Sequence, residues 1–214
     1  MRKTLGLFGG TFDPIHIGHL RMALELKQQL ALDEMRLVPC HRPPHRGQPN
    51  ASSQERVDML ALALKDCPEL VVDTREVNRD RPSYTVETLR ELRAELGSDL
   101  SLVLCMGADA FAGLASWFCW QELIQLAHIV VVARPGWELP QVGEVADLCR
   151  EHAQDAIYLT REACGGVLVQ TLRLLPVSAT EIREQIREGE SAQFLVPDAV
   201  WNYINAKQLY CSDR

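Results

Sequence analysis

Residues 100–106 and 129–133 form two short runs that are apolar almost without a break. A strand with one wet face alternates polar and apolar side chains, so runs this short and uniform describe strands covered on both faces. Covering both faces takes helices above and below the sheet, joined to the strands by crossovers, and such crossovers connect parallel strands. The rest of the chain agrees. Strand-like apolar segments at 4–8, 35–38, 70–72 and within 167–175 alternate with amphipathic segments at 18–30, 83–96, 142–152, 179–187 and 196–206. Ser52 and Ser53, followed by Glu55 and Arg56, open a further helix to about Leu64. Ser83 and Ser178 stand where helix caps are needed for the segments that follow them.

This alternation predicts a doubly wound, Rossmann-like α/β fold, a parallel sheet with helices on both faces. No internal repeat and no Gly/Ser-rich linker divides the chain, so one domain over residues 1–214 is expected, with a C-terminal helical portion from about 178. Residues 39–50, with four prolines and two of the six histidines, read as a loop. Cys40, His41 and His45 lie in or beside it, but no second ligand pair stands at zinc spacing, so no metal site is expected there. The seven cysteines are an odd number without a C-x-x-C pair, which fits reduced thiols.

Lys and Arg number 22 against 29 Asp and Glu, leaving a net charge of −7. A chain so charged lacks the broad positive field that dominates binding to nucleic acid or to an anionic membrane, and neither is expected as a partner. The apolar runs fall far short of the roughly 20 residues that cross a bilayer. Residues 1–8 are too short for a signal-peptide core, so a cytoplasmic location is expected.

The chemistry concentrates where the first strand hands over to the first helix, the position at which parallel sheets bind ligands. Gly9, Gly10, Thr11, Phe12, Asp13, Pro14, Ile15, His16, Ile17, Gly18 and His19 follow one another there. Two glycines let backbone N–H groups approach an anion closely. His16 and His19, three residues apart, share a face of the opening helical turn, where their imidazoles add to the partial positive charge of the helix N-terminus. Gly18 between them leaves room for a flat base or ribose. Lacking G-K-[ST] and G-x-G-x-x-G, the block is neither a Walker loop nor a dinucleotide fingerprint. Near the other end, Ser178 and Thr180 offer donors at a second helix N-terminus, and Arg183 adds a permanent charge and a bidentate fork one turn further in.

The first block resembles the G-G-x-F-[DN]-P-x-H-x-G-H signature of the nucleotidylyltransferase superfamily, whose H-x-G-H is shared with class I aminoacyl-tRNA synthetases. The segment from Val177 to Arg183 resembles the I-S-S-T-x-I-R segment of the same superfamily, with Ala179 in place of the second Ser. A synthetase is disfavoured by the lack of a K-M-S-K-S-like segment and of room for a tRNA-binding domain. Four further segments, Pro43-Pro44-His45-Arg46, Ser83-Tyr84-Thr85-Val86-Glu87-Thr88-Leu89, Gly107-Ala108-Asp109-Ala110 and Ala133-Arg134-Pro135-Gly136, together with Trp117, follow in order. In this the chain is similar to the bacterial nicotinate-mononucleotide adenylyltransferase family.

That resemblance implies transfer of AMP from ATP to the phosphate of nicotinate mononucleotide, giving deamido-NAD and pyrophosphate in NAD biosynthesis. It implies catalytic roles for His16, His19 and Arg183. ATP would be bound by Gly9, Gly10, Thr11, Phe12, Gly18, Asp109, Arg134, Ser178 and Thr180. The acceptor would be bound by Arg46, Tyr84, Thr85 and Trp117, the indole stacking on the ring and Thr85 with neighbouring N–H groups taking the carboxylate. Mg2+ would ride mainly on the ATP phosphates without a protein metal box. A pantetheine-phosphate adenylyltransferase or a cytidylyltransferase is the nearest alternative, against which Tyr84, Thr85 and Trp117 speak. A catalytically silent nucleotide sensor is disfavoured by the presence of both histidines and Arg183. Monomer and homodimer are both compatible with the sequence, and so is either degree of preference for nicotinate over nicotinamide.

Overall fold

The computed structural model describes residues 1–42 and 48–211. Its strands are β1 (Thr4–Gly10), β2 (Glu34–Pro39), β3 (Leu70–Val72), β4 (Ser101–Gly107), β5 (His128–Ala133) and β6 (Val167–Thr171). Its helices are α1 (Ile17–Gln29), α2 (Ser53–Leu64), α3 (Thr85–Leu96), α4 (Ala108–Ala112), α5 (Trp120–Leu126), α6 (Glu144–His152), α7 (Tyr158–Arg161), α8 (Ala179–Arg187) and α9 (Asp198–Lys207). The strands form one sheet in the order β3-β2-β1-β4-β5-β6, every neighbouring pair parallel. This is the doubly wound α/β architecture that the alternation of segments predicts.

The apolar runs of β4 and β5 feed two separate cores, which is why they are apolar at every position. Leu102, Leu104, Met106, Ile129 and Val131 point to one face and meet Val86, Leu89 and Leu92 of α3, Leu123 of α5 and Val145 of α6. Val103, Cys105, Val130 and Val132 point to the other and meet Leu26 of α1, Met59 and Leu60 of α2, Ile182 of α8 and Ile204 of α9. The pleat enforces this division, because successive side chains leave a strand on opposite faces. The chain winds from β1 outward to β3, then returns to β4 on the far side of β1. The carboxyl ends of β1 and β4 therefore diverge into a crevice, the topological switch point of the sheet.

Four helix starts differ from the sequence reading, that of α9 lying at Asp198 in place of 196. Helix α1 begins at Ile17 with His16 as its N-cap, and imidazole is not among the side chains that usually signal a cap. Helix α3 begins at Thr85 rather than Ser83, because the Ser83 hydroxyl is turned to accept the His41 backbone N–H at 2.9 Å and Tyr84 takes the N-cap position. Helix α6 starts at Glu144 after Gly143, whose φ of 92° is a left-handed value that suits glycine.

Candidate active site

At the end of β1 the chain turns through Gly9 and Gly10 into a loop that is buried from Phe12 to His16. A Cβ on Gly9 would meet open space, whereas one on Gly10 would stand 2.8 Å from the Phe12 ring. Gly10 thus makes room for Phe12, which sits at φ 50° with its ring edge-on to His19 at 5.1 Å. The two imidazoles stack with centroids 3.6 Å apart. His16 Nδ1 accepts the His19 backbone N–H at 3.4 Å, and the Leu195 carbonyl takes the Ile17 N–H at 3.0 Å. An accepting Nδ1 leaves the ring proton on Nε2. Burial lowers the His16 pKa to about 4, against an opposing pull from Glu181, so the ring is neutral at pH 7. The expectation that both imidazoles add positive charge is corrected for His16, which offers an uncharged N–H donor. A Cβ on Gly18 would lie 3.0 Å from His16 Nδ1, so the neighbouring ring also favours glycine there.

Helix α8 arrives from the far end of the chain. It buries Ile182 and Ile186 one turn apart and starts with a reciprocal cap. The Glu181 N–H donates to Ser178 Oγ, and the Ser178 N–H donates to Glu181 Oε2, each at 3.2 Å. Arg183 leaves the same helix beside its apolar stripe, and its Nη1 donates to the Asp13 carbonyl at 2.7 Å. The Asp13 carboxylate, buried at 4 % exposure, accepts the N–H groups of Asn50 and Ala51 and the Tyr210 hydroxyl. The N-termini of α1 and α8 are thereby held together, with Val177 O 3.6 Å from where a Gly18 Cβ would stand. Thr180 is exposed on the first turn of α8.

A cleft of about 390 Å³ opens at the switch point, a size that suits a small molecule. Gly9, Gly10 and Thr11 form one wall, Gly107 and Asp109 a second, and Tyr84, Thr85 and Trp117 a third. Thr85, the first residue of α3, lines the space, and the Glu87 and Thr88 N–H groups of the same turn donate to the Tyr84 carbonyl. Asp109 is exposed in the first turn of α4, after Gly107 as N-cap. Trp117 is half-buried, and beside it the Phe118 ring packs 4.9 Å from that of Tyr84. The structure thus gathers most of the expected residues around the β1–α1 loop. Arg134 is exposed on the loop after β5 and does not line the cleft, and neither do Phe12, His16, Gly18, His19, Ser178, Thr180 and Arg183. Arg46 and His45 lie outside the described residues.

Three residues that the sequence reading passed over hold this arrangement. Arg56 is wholly buried and donates to the Thr11 carbonyl at 2.7 Å, the His41 carbonyl at 3.2 Å and Ser53 Oγ at 3.1 Å. Glu76 lies on the cleft wall at 7 % exposure, and Tyr210 donates to Asp13. Their partners are distant in sequence, and no local pattern marks them. Among the described residues, no group of three His, Cys, Asp or Glu side chains is placed to hold a metal ion, and no helix is long and apolar enough to cross a membrane.

A cytidylyltransferase-like family profile matches residues 7–185, which span both helix N-termini and the cleft. A probable nicotinate-nucleotide adenylyltransferase of Cellvibrio japonicus (strain Ueda107) is 63% identical over 210 residues, covering 98% of this chain and 100% of the relative. One from Pseudomonas aeruginosa (strain UCBPP-PA14) is 45% identical, covering 98% of each chain. The solved structure of Plasmodium falciparum nicotinic acid mononucleotide adenylyltransferase complexed with NaAD superposes with a TM-score of 0.74 over 97% of both chains, at 14% identity, a likeness of fold. With the family profile over most of its length and relatives this similar from end to end, the chain belongs to the cytidylyltransferase-like family and, within it, to the nicotinate-nucleotide adenylyltransferases.

Proposed function

We propose that the protein joins ATP and nicotinate mononucleotide, the acceptor phosphate attacking the α-phosphorus of ATP with release of pyrophosphate and formation of deamido-NAD. The observation that carries this reading is the meeting of the α1 and α8 N-termini, with His16, His19 and Arg183, on the loop that continues from the Gly9, Gly10 and Thr11 wall of the cleft, which Tyr84, Thr85 and Trp117 line on another side. A phosphomonoester is largely ionised at neutral pH, its second pKa lying near ~6. The acceptor needs no general base, and the enzyme supplies alignment and fixed donors for the charge that builds on the α-phosphoryl group and the leaving pyrophosphate.

His16 donates from Nε2 and His19 from its ring to the α- and β-phosphate oxygens. Arg183, with Ser178 and Thr180, meets the β- and γ-phosphates. Gly9 and Gly10 let the nucleotide lie against the strand end, and Asp109 accepts hydrogen bonds from sugar hydroxyls. Trp117 and Tyr84 flank the pyridine ring, while the first-turn N–H groups and hydroxyl of Thr85 take its carboxylate. Arg134, on the loop after β5, and Arg46 are assigned to the phosphates. Nucleotidyltransferases generally use a divalent metal, and Mg2+ would enter bound to ATP oxygens and water. A donor set of imidazole, guanidinium and N–H groups suits the phosphates and offers the cation no ligands of its own. Seven free thiols fit the reducing cytoplasm.

Pyrophosphate release by purified protein with ATP and Mg2+ tests the reading, with nicotinate mononucleotide, nicotinamide mononucleotide and phosphopantetheine offered in parallel. Fastest turnover with the nicotinate form is expected. Faster turnover with either other acceptor would retain the phosphate site and discard the ring assignment.

A further inference from the structure

We infer that Arg56 is a positioning residue that fixes the span between the two substrates, joining the ATP wall of the cleft to its acceptor wall. The inference rests on the assignment of Gly9, Gly10 and Thr11 to ATP and of Tyr84, Thr85 and Trp117 to the acceptor.

At the end of β2 the Cys40 N–H donates to the Gly10 carbonyl at 3.0 Å. Beyond that bond Thr11 and His41 both offer carbonyls, and two acceptors cannot bond each other. Arg56, wholly buried at the opening of α2, supplies the donors between them. Its Nη1 donates to the Thr11 carbonyl at 2.7 Å, and its Nη2 to the His41 carbonyl at 3.2 Å and to Ser53 Oγ at 3.1 Å. The planar fork sets the separation of the two carbonyls, as a flexible chain ending in a single nitrogen does not. All three partners are neutral, so a desolvated cation is kept here to bond carbonyls and a hydroxyl.

From His41 the bonding continues toward the acceptor. The His41 main-chain N–H donates to Ser83 Oγ at 2.9 Å, and the Ser83 N–H donates to the Arg42 carbonyl at 3.2 Å. Ser83 is buried and immediately precedes Tyr84 and Thr85. Thr11 and Ser83, both on the cleft wall, are thus joined by hydrogen bonds in series through Arg56 and His41, neither of which lines the cleft. Each substrate touches its own wall. Only what touches both walls at once depends on the span, namely the transition state of the transfer and the dinucleotide product.

The test is titration calorimetry of the full chain with α,β-methylene ATP, which cannot release pyrophosphate, with nicotinate mononucleotide and with deamido-NAD. Arg56→Lys keeps the charge but cannot give each carbonyl its own arm. It is expected to raise the Kd of deamido-NAD about tenfold or more and to lower kcat at least as far, while the Kd values of α,β-methylene ATP and nicotinate mononucleotide stay within about twofold and each binds once per chain. Ser83→Ala removes the acceptor of the His41 N–H and should repeat the pattern, which keeps the proposal testable where Arg56→Lys does not fold. An unchanged Kd for deamido-NAD in either folded variant, or Kd values for α,β-methylene ATP and nicotinate mononucleotide that rise in step with it, overturns the proposal. Wild-type protein that binds neither nicotinate mononucleotide nor deamido-NAD overturns the substrate assignment itself, an outcome read without any variant.

Discussion

Arg183 donates through Nη1 to the main-chain carbonyl of Asp13 at 2.7 Å, joining positions 170 residues apart. One guanidinium arm is thereby anchored on protein, the other reaches Thr180 Oγ1 at 3.5 Å, and the donors are held in a plane fixed by the shorter bond. Lysine can reach either the carbonyl or a phosphate, but it has no fork to do both. Arg183→Lys is therefore expected to lower kcat/KM for ATP by about a hundredfold. A comparison of kcat/KM with ATP and with the acceptor varied in turn would show a loss confined to ATP if the anchor is what matters.

His16 has two separable duties. Its Nδ1 caps α1, and its Nε2–H is the donor proposed above for the phosphates. Asparagine caps helices well through its side-chain oxygen but places no donor where Nε2 stands. His16→Asn should keep the melting temperature within a few degrees while turnover drops by about 10²–10³. Substantial unfolding with intact specific activity would reverse this division of labour.

Burial lowers the His16 pKa from 6.5 to about 4, and burial also lowers that of His128, whose Nδ1 accepts the Gly166 N–H. Both imidazoles bind a proton more readily in the unfolded chain than in the folded one. The stability that depends on their neutral forms is whole above about pH 6.5 and is lost as the pH falls toward 4. For His16 the loss amounts to about 3 kcal/mol when complete. Urea unfolding followed between pH 7 and pH 4 should show this decline, and the decline should be shallower in His16→Asn.

The Tyr210 hydroxyl reaches the Asp13 carboxylate at 2.8 Å, and burial beside that charge pushes its pKa upward. The phenol stays protonated and donates throughout the working pH range. Tyr210→Phe removes one of three donors from a buried carboxylate, at a cost of about 1.5–3 kcal/mol. Calorimetry should register a lower melting temperature, together with a rise in KM for ATP, because the same aspartate receives Arg183. An unchanged KM would confine Tyr210 to stability.

Much of the architecture could be read in the chain because it rests on local pattern. Unbroken apolar runs marked β4 and β5, and the Ser52–Glu55 and Ser178–Glu181 pairs form the reciprocal caps that begin α2 and α8. His16, Tyr84 and Gly143 misled the reading of helix starts, because capping by imidazole, by an extended residue without a side-chain bond, or after a left-handed glycine leaves little compositional trace. The residues at the cleft were legible through motifs, but the supports behind them were not. Arg56 meets Thr11 across 45 positions and Tyr210 meets Asp13 across 197, separations at which hydrogen bonding has no sequence period.

Helices α1, α3 and α8 all begin at the cleft or beside it, so much of the attraction for a polyanion comes from peptide dipoles and neutral donors rather than from surface cations. Such an attraction fades within a few ångström, while the chain as a whole carries −7 and repels distant polyanions. Capture of ATP is then a contact event. Its rate should rise modestly, and not fall, as added salt screens that repulsion, and long RNA, whose phosphates cannot descend into the crevice, should compete poorly even at low ionic strength. Depth, in place of net charge, sorts the small nucleotide from the large one.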